Sequence, residues 1–237
     1  IFDIFLSAAL DLNFAVNKSL VDSISGNNLV SFTRASSGTF VGADGLIKTA
    51  STNEARFDHD PATGESLGLL IEEARTNILL KSEKLDAWFR GSNSSVTANQ
   101  AVAPDGTTTA DRVQHGSVGS SWLRQNVTTP GVTYTISIYA KAVTPGTNDQ
   151  FTFELGFTSP IFTATGEWQR FTFTNTAFGT SVYLNNGNDS FATDVYFWGA
   201  QVEEGDFATS YIPTDSSTVT RAADVAEITG TNFSSFY

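Results

Sequence analysis

The sequence predicts an all-β chain, an antiparallel β-sandwich or jelly roll with extended N- and C-terminal arms. Three observations carry this. In Thr133–Ala142 apolar and polar residues alternate, so that Tyr134, Ile136, Ile138 and Ala140 point one way and Thr135, Ser137, Tyr139 and Lys141 the other. Thr193–Glu204 is apolar on both faces (Val195, Tyr196, Phe197, Trp198, Ala200, Val202), which places it centrally in a sheet and not at a solvent-washed edge. Around these two, short apolar segments recur at even spacing between Gly, Pro and Asn turns, and no long stretch carries a helical period.

Composition narrows the function. The 237 residues are 40% hydrophobic and include 19 Phe, enough for a real core. No apolar run is long enough to cross a bilayer as a helix. Residues 1–10 are apolar, but they lack a basic flank and Asp3 interrupts them, so they do not read as a signal peptide. With 25 acidic and 13 basic residues the formal charge is -12, which repels phosphate backbones and anionic membranes, so neither nucleic acid nor membrane is an expected partner. The chain has no Cys, hence no disulfide, thiol nucleophile or thiolate metal site, and its two His, His59 and His115, leave little for acid–base chemistry near neutral pH.

Taken in order, residues 1–76 read as an anchoring β arm. Short strands are expected at 10–14, 29–34 and 46–48, with a turn at Gly42-Ala43-Asp44-Gly45, a loop over 57–64 punctuated by Pro61 and Gly64, and a buried strand at 67–72. These strands are too few and short for a core of their own, so the arm is expected to brace the main domain. Residues 77–205 form the sandwich, with strands at 94–99, 111–114, 121–127, 133–142, 150–156, 168–174, 181–185 and 195–203. Turns at Pro104-Asp105-Gly106, Pro130-Gly131, Pro145-Gly146, Thr165-Gly166 and Asn186-Gly187 separate them. Residues 206–237 are rich in Ser, Thr and Asp and read as an extended arm, with returns along the body at 207–213 and 221–229. The ending at 233–237 suggests a boundary with a further domain or a partner.

Two resemblances emerge from these segments. Asn77-Ile78-Leu79-Leu80, Trp88, Ala103-Pro104-Asp105-Gly106, Gln125-Asn126-Val127, residues 131–142, Gly166-Glu167-Trp168-Gln169-Arg170-Phe171 and residues 195–203, in that order, resemble the jelly-roll carbohydrate-binding modules attached to xylanases and cellulases. The flanks, Phe32-Thr33-Arg34-Ala35-Ser36, Arg56-Phe57-Asp58-His59-Asp60-Pro61, residues 68–77, Ala208-Thr209-Ser210-Tyr211-Ile212-Pro213 and Thr220-Arg221-Ala222-Ala223-Asp224, resemble head-spike, fibre and minor tail proteins of tailed bacteriophages that carry such a module. In that family the closing Phe-Ser-Ser-aromatic segment often leads into a lectin-like domain. The resemblance implies a virion location, capsid or tail proteins as partners, a homo-oligomer of trimeric kind and contact with a cell-surface polysaccharide. The enzyme-attached modules often hold a structural calcium through an acidic residue on the last strand. Here Trp198-Gly199-Ala200 stand at that place with no carboxylate, and no cofactor or metal is expected.

The resemblance places Tyr139 and Lys141 on the sugar-binding face of a module. Trp122 and Arg124 share a face if Leu123, Gln125 and Val127 point inward. Aromatic stacking beside charged hydrogen-bonders is the chemistry of a sugar site. The same aromatics also serve packing or contact with a neighbouring chain, and both readings stand. Trp88, Trp168 and Trp198 read as core anchors. Asp58, His59, Asp60 and Glu65 are dense enough for a metal loop but lack EF-hand spacing, and turn-capping is favoured. Glu154, Glu167, Glu203 and Glu204 are acidic without any pattern that sets two across a cleft, and no Gly-x-Ser-x-Gly elbow accompanies His59 or His115. No catalysis is expected. Arg75 and Arg221 are expected to pair with carboxylates where the arms dock. The leading reading is a non-enzymatic phage structural protein with a glycan-binding surface. The alternative is a carbohydrate-binding module of a polysaccharide-degrading enzyme.

Overall fold

A computed structural model describes residues 10–117, 119–155, 160–184 and 191–234. The chain forms two compact units, one from residues 1–74 with 221–237 and one from residues 75–220. Those boundaries join the last part of the C-terminal arm to the N-terminal one and leave 206–220 with the sandwich. The apolar stretch 1–9, the Asn186-Gly187 turn, the far ends of the strands expected at 150–156 and 181–185, and residues 235–237 lie outside the described residues.

The first unit begins with α1 (Phe14–Asn17), β1 (Ser31–Thr33), β2 (Gly38–Val41), β3 (Ile47–Ala50), β4 (Phe57–His59) and β5 (Ser66–Leu69). The second contains β6 (Arg75–Asn77), β7 (Phe89–Arg90), β8 (Ser94–Ala101), β9 (Ala110–His115), β10 (Leu123–Asn126), β11 (Thr133–Ala142), β12 (Gln150–Glu154), β13 (Ile161–Thr163), β14 (Gln169–Thr176), β15 (Ser181–Leu184), β16 (Thr193–Glu204) and β17 (Val219–Arg221). The first unit then resumes with β18 (Val225–Glu227) and α2 (Thr231–Ser234).

In the first unit β2 pairs with β3, β4 with β5, and β1 with β18, all antiparallel. The strand expected at 10–14 is instead a helical turn. The Asn13 side chain accepts from the Val16 N–H at 3.1 Å and Lys18 closes the turn in the left-handed region at φ 47, so a local cap overrides the short alternation. The segment 67–72 is not a buried strand either. Leu67 is 63% and Ile71 47% exposed, because β5 pairs only with β4 and presents its other side to solvent. The loop expected from 57 starts as β4, and Asp60 Oδ1 then accepts from the N–H groups of Ala62 and Thr63 at 2.9 and 2.8 Å. Asp60 is thus the turn cap expected of it.

The interior of this unit is ionic. Asp224 accepts from Arg34 at 3.0 Å and from Arg56, and its Oδ2 takes the Glu72 N–H at 2.9 Å. Glu72 pairs in turn with Arg56 at 2.9 Å and Arg221 at 3.5 Å, while Arg221 also donates to the Glu73 carbonyl at 2.8 Å. Arg34, Arg56 and Arg221 are all buried. Arg221 therefore meets carboxylates as expected. Arg75 sets its guanidinium 4.7 Å from the Phe207 ring centre.

The second unit is a β-sandwich of two five-stranded antiparallel sheets, ordered β14-β11-β16-β9-β8 and β13-β12-β15-β10-β7. The first sheet sends Ile136, Ile138, Ala140, Val113, Val195, Phe197 and Val202 into the core, and the second sends Leu123, Phe151, Phe153, Val182 and Leu184. Phe151 lies edge-on to Phe171 and Phe197 across the gap, with ring centres 5.1 and 5.0 Å apart. Strand β16 is central, as its two-sided apolar sequence requires. Its alternation breaks once. Ser137 pairs with Gln201 and Tyr139 with Trp198, so β16 carries one extra residue, and Gly199 sits there at φ 65. This bulge sends Val195 and Phe197 inward on one side and Ala200 and Val202 inward on the other, and turns Trp198 to the outer face.

Asp224→Asn keeps the shape of the hub and removes its charge, leaving buried guanidinium groups uncompensated. Loss of one partner from such a network costs about 3–5 kcal/mol. Urea unfolding should show the first unit weakened by that order, and an unchanged midpoint would show that the cluster does not hold it.

Candidate functional site

The four residues singled out as sugar contacts fall on opposite outer faces of the sandwich. Tyr139 and Lys141 lie on the sheet containing β11, Trp122 and Arg124 on the sheet containing β10, so they do not form one site.

The face around Tyr139 is covered by the chain itself. The segment after β16 lies back over it, burying Thr209, Tyr211, Ile212 and Thr214 above Thr135, Ser137, Gln201 and Glu203. Polar groups beneath find partners in it. The Thr209 N–H donates to Glu203 Oε2 at 3.0 Å, the Ile212 N–H to Gln201 Oε1 at 2.6 Å, and Asn77 Nδ2 to the Ile212 carbonyl at 2.8 Å. Tyr139 packs its ring 5.6 Å from Trp198, which stands 4.7 Å from Tyr211. Arg170 stacks over Tyr139 at 5.5 Å and donates to the Thr209 carbonyl at 2.7 Å. Tyr211 OH donates to Glu83 at 2.8 Å, and burial raises both groups above their ordinary pKa. Tyr139 thus packs against Trp198 and Arg170 beside the return segment, and in its row Thr135 and Ser137 are buried while Tyr139 and Lys141 are half-buried.

The other face carries an open aromatic row. Leu123 points into the core and Arg124 outward, as the alternation expected. Directly across β10 from Arg124 stand Tyr183 on β15 and Phe89 on β7, and Glu154 on β12 follows beyond Tyr183. Trp122, just ahead of β10, keeps the same side. Its ring lies 6.2 Å from Tyr183, edge to face, and 5.1 Å from the Arg124 guanidinium, which is 6.0 Å from the Phe89 ring. Phe89 is 69% exposed, and Trp122, Arg124 and Tyr183 are partly exposed. Beside them Ser181 Oγ donates to Asn126 Oδ1 at 2.8 Å. Tyr183 and Phe89 were not anticipated. Tyr183 has a signal, since Val182 and Leu184 alternate around it. Phe89 has none, because its strand is two residues long.

The other candidates resolve into structure. Trp88 and Trp198 are buried, and Trp168 is held by a bond from Nε1 to the Val102 carbonyl at 2.9 Å. His115 is buried with its Nδ1 2.8 Å from Ser94 Oγ, and that hydroxyl in turn donates to the Trp122 carbonyl at 3.3 Å. Among the described residues no group of His, Asp and Glu is arranged to hold a metal.

No family model matches the chain, and neither does any curated protein. Solved structures similar to it include the N-terminal xylanase 10B fragment of Clostridium thermocellum, CBM22-1 with GH10, complexed with xylohexaose (17% identity, 56% of this chain, 29% of that one, TM-score 0.40). The tandem CBM22 domain of Paenibacillus barcinonensis Xyn10C follows (16%, 58%, 47%, 0.40), as does the enzymatically active domain of bacteriophage CBA120 tailspike protein 4 (12%, 53%, 21%, 0.37). The chain thus spans less than half the length of the first two. At such TM-scores the likeness does not speak for this chain's fold or ligand, and both are read from its own residues.

Burial lowers the pKa of His115 from 6.5 to about 4. The unfolded chain then takes this proton more readily than the folded one. The resulting penalty on folding is absent above pH 6.5, grows as pH falls, and is complete near pH 4. It reaches about 3 kcal/mol. His115→Gln should flatten the stability profile between those limits relative to the parent in urea melts at successive pH. Parallel profiles would show that the ring is not desolvated.

Proposed function

We propose that the 75–220 unit is a non-catalytic glycan-binding module whose site is the outer face at Trp122, Arg124, Tyr183 and Phe89. The observation that carries this is an aromatic row on a flat sheet face, left partly exposed where the opposite face is covered. Aromatic rings bury the apolar face of a pyranose, while an adjacent guanidinium and the Asn126–Ser181 pair offer hydrogen bonds to its hydroxyls. The non-catalytic reading is supported by the burial of His115 and of Glu203, the latter bonded to the Thr209 N–H.

Two carriers suit such a module. A polysaccharide-degrading enzyme is one, by the resemblance of the sandwich segments. A tailed-phage virion protein, oligomeric and in contact with capsid or tail proteins, is the other, by the resemblance of the flanks. In favour of the second, five charged residues of those flanking motifs, Arg34, Arg56, Glu72, Arg221 and Asp224, meet inside the first unit.

Affinity electrophoresis against a panel of polysaccharides tests the site. Trp122→Ala and Tyr183→Ala should each weaken retardation about five- to tenfold, the scale of a lost ring contact. Lys141→Ala, on the other sheet, should leave it unchanged. Loss of binding in Lys141→Ala with full binding in Trp122→Ala would move the site to the other face.

A further inference from the structure

We propose that the glycan taken by this face is an acidic one, with a sugar carboxylate seated on Arg124. This rests on the glycan-binding reading and names the ligand class for it.

Arg124 differs from Arg34, Arg56, Arg112, Arg170 and Arg221. Arg34, Arg56 and Arg221 share two carboxylates, Arg112 clasps Asp194 through two bonds of 2.7 Å, and Arg170 donates to the Thr209 carbonyl and to Ser137 Oγ. The Arg124 guanidinium makes no hydrogen bond and no ion pair among the described residues, only the ring contacts to Trp122 and Phe89. A shortage of acids is not the reason, since the chain carries 25 acidic residues against 13 basic, an excess that repels a polyanion at long range and leaves the attraction local to Arg124. The nearest carboxylate in register, Glu154, lies beyond Tyr183 on the next strand out.

The rings around Arg124 explain what it is set to do. Trp122 and Phe89 hold the guanidinium at 5.1 and 6.0 Å and shield part of it from water, which strengthens any ion pair formed at the exposed part. Its planar donors match a carboxylate bidentately, a geometry that isolated sugar hydroxyls do not reproduce. A uronate residue places a pyranose face and a carboxylate on one rigid ring, so the ring stacks on Trp122 or Tyr183 while the carboxylate reaches Arg124.

The test is affinity electrophoresis of the full chain through alginate, polygalacturonate and hyaluronate, each beside its carboxyl-reduced neutral counterpart, and through neutral xylan and mannan. The expected result is about tenfold stronger retardation by at least one acidic polymer than by its reduced form. Arg124→Gln should erase that difference, and Arg124→Lys, which keeps charge without the fork, should retain part of it. Melting curves confirm that both variants fold, and Arg124→Lys keeps the test valid should Arg124→Gln not. Equal retardation by acidic and reduced polymers, lost in Trp122→Ala, would overturn the acidic ligand and keep the glycan site. Acidic retardation unchanged in Arg124→Gln would also overturn it. No retardation by any polymer would remove the glycan reading itself.

Discussion

The extra residue in β16 decides which side of the sandwich is available. A regular strand would have kept one alternation from end to end, so that either Trp198 followed Ala200 and Val202 into the core or, with Val195 and Phe197 inward, Ala200 and Val202 faced out. The bulge at Gly199 reverses the sides, so a large indole emerges on the outer face, where Tyr139 and Tyr211 close around it. Only glycine suits the position, since a Cβ there would sit 3.2 Å from Tyr139 and 3.4 Å from Tyr211 in a left-handed backbone. With Trp198 outward, that face is apolar enough to hold the return segment down. Buried Gln201, Glu203 and Asn77 supply partners for the segment's own backbone. The aromatic row on the other sheet is then the open one.

The first unit solves a different problem by different means. Its strands are three or four residues long and pair two by two, so sheet packing alone gives it little. Beside the β1–β18 pair, what joins the N-terminal stretch to residues beyond 220 is the Asp224 hub, which meets three arginines and a backbone N–H. A buried ion network is costly to form and specific once formed, because only the correct pairing satisfies every member. That makes it a device for register more than for net stability. It also explains why Arg34, Arg56, Glu72, Arg221 and Asp224 are scattered along the chain in otherwise unremarkable segments.

Much of this was legible in the sequence. Alternation in Thr133–Ala142 defines β11 to the residue, and the two-sided apolar character of Thr193–Glu204 puts β16 at the centre of its sheet. These succeed because burial on a defined face leaves a period-two trace. The failures lie where a local or long-range interaction overrides that trace. Asn13 caps a helical turn inside an alternating stretch, and Leu67 alternates onto the open side of a hairpin whose other side meets that turn. At the candidate site, Trp122 and Arg124 were found from one strand's alternation. Tyr139 was placed in a cleft because nothing in its own strand reveals that Tyr211 and Ile212 cover it. Phe89 comes from a two-residue strand and becomes visible only once β7 is laid beside β10.

The size of the open face bears on how it would serve attachment. Three rings and one guanidinium on a flat sheet can cover one or two sugar units. Each ring adds about 0.5–1.5 kcal/mol beyond its buried area, against the rotational and translational freedom lost on binding. A single face of this kind is therefore a weak binder, and its selectivity comes from Arg124 more than from the rings, since stacking tolerates many sugars whereas an unpaired guanidinium discriminates by charge. Weak, selective sites gain strength when several are held together, because each later contact becomes intramolecular. That favours a carrier that presents many copies or many repeats of the ligand. A particle decorated with the protein meets the first condition, and a polymeric substrate under a processing enzyme meets the second. In both, the repeat of the polysaccharide, and not the strength of one contact, sets the hold.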